Sequence, residues 1–290
     1  MINNLVNEVK KEADKRYGDD FVVARKDFLK GDCIVLGFKT DAVKPCIYLD
    51  LFVKRLHEGV PMANVVQEIF DVYNNVDHAE LNKTLSIDKI LDKAKQDTYL
   101  QVISSKHEMD LIEKDVVYEK YLDLLVCYRI VVTRDEDTGE TGTVLVTNEF
   151  IERAKMTKEY IHNVAAENSK KDNWSIVTMR DKLSGILEDD DINAEPIMYI
   201  IGEKAIFGGA CIYTKSGIKE LAKKLNKNIL ILPSSIYELI LLPCDDDICK
   251  NEIGIKKMVN EINNEYVADD EFLSDNIYLY SLENDDITII

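Results

Sequence analysis

The chain has 290 residues, 46% of them hydrophobic, with 54 acidic side chains against 36 basic ones and a formal net charge of −18. That composition supports one large or two ordinary buried cores, and its field repels nucleic-acid phosphate and anionic lipid. No apolar run approaches the ~18 residues needed to span a bilayer, so nucleic acid and membrane are not expected partners.

Residues 1–17 read as an amphipathic helix, without the basic start and apolar stretch of an export signal. Phe21 to Arg25 and Cys33 to Phe38 are expected strands, joined through a Lys-Gly-Asp turn at residues 30–32. Cys46 to Leu49 is a short third strand leading into a helix near Phe52 to His57. Val65, Val66, Ile69, Phe70 and Tyr73 recur at helical spacing after Pro61, which suits a first helical turn. A polar connection at 74–84 precedes a helix over Ile87 to Lys95 and a strand over Leu100 to Ile103.

Asp123 to Thr133 and Thr141 to Thr147 form an expected hairpin about the turn at 134–140. Asn148 is placed to cap one helix and Thr157 a second, running through Asn168. Trp174 to Met179 is an expected strand, and Glu188 to Asp191 an acidic loop. Ile197 to Ile201 and Ile206 to Tyr213 read as neighbouring strands about Gly202-Glu203, with Gly208-Gly209 marking a bulge or a close backbone approach. A helix from Ser216 to Leu225 ends at Asn226.

The stretch from Asn228 to Pro243 reads as a buried strand, a Pro-Ser-Ser turn, a capped helical turn and a second apolar run. Ser235 followed by Glu238 has capping-box spacing. Ile253 to Asn264 is a further helix and Tyr278 to Tyr280 a late strand. Hairpins and helices do not alternate regularly, so the expected class is α+β, with antiparallel or mixed sheets and flanking helices in a soluble globular chain. A soft boundary near 104–115 divides an N-terminal α+β domain (1–110) from a C-terminal one (111–290), unless the two form one compact unit.

Several segments together resemble a domain-of-unknown-function family common in anaerobic gut bacteria. They are Pro45-Cys-Ile-Tyr-Leu-Asp50, Tyr121-Leu-Asp-Leu-Leu-Val-Cys-Tyr-Arg129, Val144-Leu-Val-Thr-Asn-Glu149, Ile231-Leu-Pro-Ser-Ser-Ile-Tyr-Glu238 and the stretch from Val267 to Tyr278. The resemblance runs from about residue 20 to 280 and implies an intracellular location but no activity. Members often carry His where this chain has Tyr237, which weighs against a catalytic imidazole in the turn. A second bacterial family is distantly similar through the Thr-Asn-Glu and Leu-Pro-Ser-Ser elements.

The candidate chemistry is sparse. A helix N-terminus offers free amides to an anion, so Ser234 and Ser235 are the candidate ligand-binding residues. Cys244-Asp-Asp-Asp-Ile-Cys249 lacks the second pair or histidine that a zinc site needs. Asp269, Asp270, Glu271 and Asp275 lack calcium-loop spacing. His57, His78, His107 and His162 read as surface or cap residues. Cys127 sits in a buried-strand pattern that makes a thiol inert, and the cysteines as a set read as reduced buried hydrophobes.

No catalytic residue, metal ligand or cofactor is assigned. The leading reading is a cytoplasmic, non-catalytic module that binds a protein or a small molecule. The alternative is a hydrolase-like enzyme using the Ser234/Ser235 turn or clustered carboxylates.

Overall fold

Three antiparallel sheets and eleven α-helices make up the described residues. The computed structural model describes residues 1–28, 31–41, 44–76, 78, 86–134, 141–183, 197–202, 204–244 and 251–290. The class is α+β, and no described helix is long and apolar enough to cross a membrane. Contacts divide the chain into two units, Met1–Ile90 and Leu91–Ile290. Residues 104–115, where the sequence suggests a division, belong with the second unit: Ser104 pairs with Leu124, and Val116 bridges Thr147.

In the first unit α1 (Ile2–Tyr17) is followed by β1 (Phe21–Phe28), β2 (Gly31–Phe38) and β3 (Cys46–Tyr48), then α2 (Asp50–His57) and α3 (Met62–Asn74). The strands form one sheet in the order β1-β2-β3. Leu5, Val9 and Ala13 recur every four residues and are fully buried. They meet Ile34, Leu36 and Ile47 from the sheet and Val65, Ile69 and Phe70 from α3 in one core, as the helical and strand periods require. Pro61 stands just before α3, as its N-cap. The helix α4 (Ile87–Ala94) crosses the division between the units.

The second unit holds two sheets. The first consists of β4 (Thr98–Ser104), β5 (Tyr118–Tyr121), β6 (Leu124–Arg134) and β7 (Thr141–Leu145). In it β4 lines one edge of β6, while β5 and β7 share the other. Between β4 and β5 lies α5 (Glu108–Glu113). After β7 come α6 (Asn148–Ala154) and α7 (Lys158–Lys171), and α7 packs on β4. Ser169 accepts the Leu100 amide at 2.9 Å.

The second sheet is built from β8 (Ile176–Thr178), β9 (Tyr199–Ile201), β10 (Asn228–Pro233), β11 (Leu239–Cys244), β12 (Tyr278–Ser281) and β13 (Asp286–Ile289). Its order is β13-β12-β10-β11-β9-β8. The expected central strand is therefore β10, with the following apolar run returning beside it and Ile231 opposite Leu241. Ile229 through Pro233 are buried, so both faces of β10 are covered. The helices of this part are α8 (Met179–Leu183), α9 (Cys211–Thr214), α10 (Ile218–Leu225) and α11 (Glu252–Tyr266).

Three local expectations are corrected. Residues 206–213 form a 3-10 turn (Gly208–Ala210) and α9, not a strand. The N-cap of α6 is Thr147, which accepts the Phe150 amide at 3.1 Å, while Asn148 reaches Asp115 instead. No helical turn follows Ser235, because pairing of Pro233 with Leu239 closes residues 234–238 into a hairpin loop. Thr157, by contrast, caps α7 by accepting the Tyr160 amide. The expected turns at 30–32 and 134–140, the connection at 74–84, the loop at 188–191 and the stretch at 244–249 fall wholly or partly outside the described residues.

Candidate functional site

Ser234 and Ser235 sit in the β10–β11 loop. Ser235 donates its amide to the Glu238 carbonyl at 3.1 Å and accepts the Tyr237 amide on its hydroxyl at 3.1 Å. This is a side-chain turn bond rather than a capping box. Ser234 Oγ donates to Glu238 Oε1 at 3.4 Å, and the same carboxylate meets Lys182 at 3.1 Å. A serine nucleophile needs a base that takes its proton. The partner here is a carboxylate already engaged by a lysine. The loop's backbone lies directly over Gly208 and Gly209, and the Gly209 amide donates to the Ile236 carbonyl at 3.0 Å. The glycine pair is thus a close backbone approach, and no side chain fits there.

The densest polar cluster lies elsewhere, on β5, β6, α7 and α9. Tyr128 Oη and His162 Nδ1 are 3.1 Å apart, and Glu119 Oε1 is 3.4 Å from the same nitrogen. Tyr213 donates its hydroxyl to Glu119 at 2.7 Å, and its ring meets Tyr121 edge-on at 5.0 Å. Burial, then the Glu119 charge, pushes the Tyr128 phenol well above its ordinary value. Burial and the bond to Glu119 do the same for Tyr213. Both hydroxyls therefore stay protonated, with Tyr213 as donor to Glu119 and Tyr128 sharing a hydrogen bond with the imidazole. In a hydroxyl–imidazole–carboxylate triad the two partners take different ring nitrogens. Here both fall on Nδ1, so the imidazole does not relay a proton between them. The cluster ties four elements together and spends its polar groups internally.

A second constellation centres on Asp123, in the tight turn between β5 and β6. Its Oδ2 accepts from Ser274 at 2.6 Å and Asn276 at 2.9 Å, and its Oδ1 from Tyr278 at 2.8 Å. The carboxylate is fully used in holding one sheet to the segment that enters the other. Among the described residues no group of three or more His, Cys, Asp or Glu is arranged to hold a metal ion. Asp269 pairs with Lys106 at 2.8 Å, and Lys106 in turn lies over the Phe272 ring at 4.1 Å. Asp275 accepts from Asn263 at 3.1 Å.

The cysteines depart from the expected reduced set. Cys33 and Cys46 are disulfide-bonded across β2 and β3, and Cys244 is disulfide-bonded as well. Cys127 and Cys211 are free and buried. Burial pushes the Cys127 thiol up to about 11 and the Cys211 thiol higher still. Neither is a nucleophile at neutral pH.

The outward face of α11 is the most distinctive surface. Met258, Ile262 and Tyr266 recur at four-residue spacing and are 42%, 45% and 74% exposed, while Val259 and Asn263 face inward. Ile253 at the start of the helix is 88% exposed. Glu261 and Glu265 flank the ridge, and Asp269, Asp270 and Glu271 follow its end.

The family described as "Family of unknown function (DUF5688)" matches residues 2–282. The chain belongs to this family. No curated protein and no solved structure matches it. DUF5688 membership spans both units, and it brings no reaction or ligand with it. In this DUF5688 chain the sequence reading singles out the Ser234/Ser235 turn and misses the Glu119–His162–Tyr213 cluster. His162 reads alone as a surface histidine on a polar helix. Its partners come from positions 34 to 51 residues away, and only the packing of α7 and α9 on the sheet joins them. The one local signal is a run of tyrosines at apolar positions, where packing is the default.

Proposed function

We propose that this chain is a bacterial, cytoplasmic, non-catalytic protein-binding module whose contact face is the α11 ridge. The observation that carries the reading is the exposed row of Met258, Ile262 and Tyr266 on a helix whose other face is buried. Contiguous exposed apolar rows mark interaction sites, and Met and Tyr are enriched in interfaces. Glu261 pairs with Lys257 at 3.6 Å, so Glu265 and the net charge of −18 are what favour a partner that is apolar on one face and basic around it. A helix of 15 residues is about 22 Å long. A contact of that length suits a transient complex rather than an obligate one.

The test replaces Ile262 with a photo-crosslinking residue in the native cell, with the same replacement at Lys224 as control. A basic protein crosslinked at 262 and not at 224 is expected, and it should vanish when Met258→Asp is added in a variant with an unchanged circular dichroism spectrum. Equal crosslinking at both sites, or crosslinking that survives Met258→Asp, would remove the ridge from consideration. Capture of a metabolite that these variants retain would favour the small-ligand form of the module.

A further inference from the structure

We propose that Cys33 and Cys46 form a reversible thiol–disulfide site, opened and closed by small-molecule thiols acting at the sulfur of Cys46. The β2–β3 register sets Cys33 opposite Tyr48 and Val35 opposite Cys46, so the two cysteines are diagonal neighbours on one face. Their Cα atoms are 6.2 Å apart, inside the range of about 4.4–6.8 Å that a disulfide accepts. Strand alternation sends Ile34, Leu36 and Ile47 into the core with α1 and α3. The cystine therefore lies on the opposite face of the sheet.

The two ends of the bond differ in access. Cys33 is fully buried, whereas Cys46 is exposed on the edge strand. A thiolate from solvent thus reaches the Cys46 sulfur and not the Cys33 sulfur. Attack there forms a mixed disulfide on Cys46 and breaks the Cys33–Cys46 bond. The electron pair of that bond leaves with Cys33, whose thiolate then takes a proton from solvent. Lys26 stands across from Cys33 on β1, and a neighbouring cation stabilises the leaving thiolate. A second thiolate removes the adduct as the small-molecule disulfide and frees Cys46. The net change converts one cystine and two thiols into two cysteines and one disulfide. Closure is the reverse, with a small-molecule disulfide such as oxidised glutathione as the oxidant.

The bond has a defined structural consequence. β3 is three residues long and meets β2 at three register positions. At its ends, Leu36 donates its amide to Pro45 at 3.2 Å and Leu49 to Asp32 at 2.9 Å. Once the staple is opened, this edge strand is held by those few hydrogen bonds and by the burial of Ile47 and Leu49 alone. In a reducing cytoplasm such a bond forms transiently, as a sensing device. The inference does not depend on the α11 ridge.

The test equilibrates the full chain in glutathione buffers of graded potential, then alkylates it and maps it by mass spectrometry. Cys33 and Cys46 should pass together from oxidised to alkylated as reduced glutathione increases. Amide exchange at Leu36 and Leu49 should rise at least about tenfold on reduction, with Val126 in β6 unchanged. In Cys33→Ser, oxidised glutathione should leave its adduct on Cys46. In Cys46→Ser, Cys33 should stay unmodified until denaturant is added. Any one of four results would overturn the proposal: a pair that stays alkylatable in fully oxidised buffer, a pair that resists excess glutathione, an adduct on Cys33 in native Cys46→Ser, or unchanged exchange at Leu36 and Leu49.

Discussion

Tyr278 donates its hydroxyl to Asp123 at 2.8 Å, binding the β5–β6 turn of one sheet to the first residue of β12 in the other. Ser274 and Asn276 donate to the second oxygen of the same carboxylate. Asp123→Ala would leave three partly buried donors without an acceptor, and the expected loss is about 2–3 kcal/mol. Tyr278→Phe should lose about 1 kcal/mol, and a cycle with Asp123→Asn should show coupling between the two positions. The measurement is the urea midpoint. An unchanged midpoint for Asp123→Ala would mean that the constellation contributes nothing.

The Tyr128–His162 contact predicts a second non-additive pair. His162→Ala leaves the Tyr128 hydroxyl inside the fold without its partner, an effect of about 1–3 kcal/mol. Tyr128→Phe removes the hydroxyl itself, so the double variant should lose less than the sum of the singles. Strict additivity in chemical denaturation would show that the bond is energetically idle.

Gly208→Ala should disrupt the second unit outright. A methyl group there collides with the Tyr237 carbonyl oxygen, a backbone atom of the loop that the Pro233–Leu239 pairing closes. Loss of soluble protein or more than about 3 kcal/mol is expected. Gly59→Ala is the comparison. Gly59 has φ +90 with open space around it, so backbone strain alone acts, and about 1–2 kcal/mol is expected. Comparable thermal midpoints for the two variants would contradict the close approach.

Ile231→Ala and Leu125→Ala should each cost about 2–5 kcal/mol, the range for emptying a packed aliphatic site. Both side chains are essentially unexposed, on β10 and β6 respectively. Small effects in guanidinium melts would indicate that these strands are not the packed centres of their sheets.

Alkaline pH should unfold the protein through its tyrosines. Burial, assisted by Asp41, Asp286 and Asp285 respectively, pushes the phenols of Tyr73, Tyr121 and Tyr280 from 10.0 up to about 12. A raised folded value means that the unfolded chain releases these protons first. The associated stability is whole below pH ~10 and is lost as pH rises towards ~12. Absorbance at 295 nm should show this group of phenols ionising together with loss of the far-ultraviolet circular dichroism signal. Full ionisation of all 14 tyrosines near pH 10 with the fold intact is the opposing result.

What the sequence determines by itself is whatever rests on local period and local chemistry. The five apolar positions from Val65 to Tyr73 specify a helix with one buried face, and those positions are the buried ones. Thr157 caps and Asn226 terminates helices because both roles need only the next few backbone groups. The apolar run from Ile229 to Pro233 specifies a strand covered on both faces. Tertiary structure decides the rest. Ser235 and Glu238 have the spacing of a cap, yet pairing of Pro233 with Leu239 closes a hairpin before a helical turn can form. Gly208-Gly209 signals a close approach but not what approaches, since the backbone of Ile236 and Tyr237 arrives from the β10–β11 hairpin loop. Glu119, Tyr128, His162 and Tyr213 converge from four elements, Asp123 collects donors from about 150 residues away, and Cys33 finds Cys46 across a strand pair. Apart from Cys33 and Cys46, 13 residues apart on paired strands, and Glu119 and Tyr128 on neighbouring strands, these partners lie far apart in sequence, and the packing of elements sets their meeting.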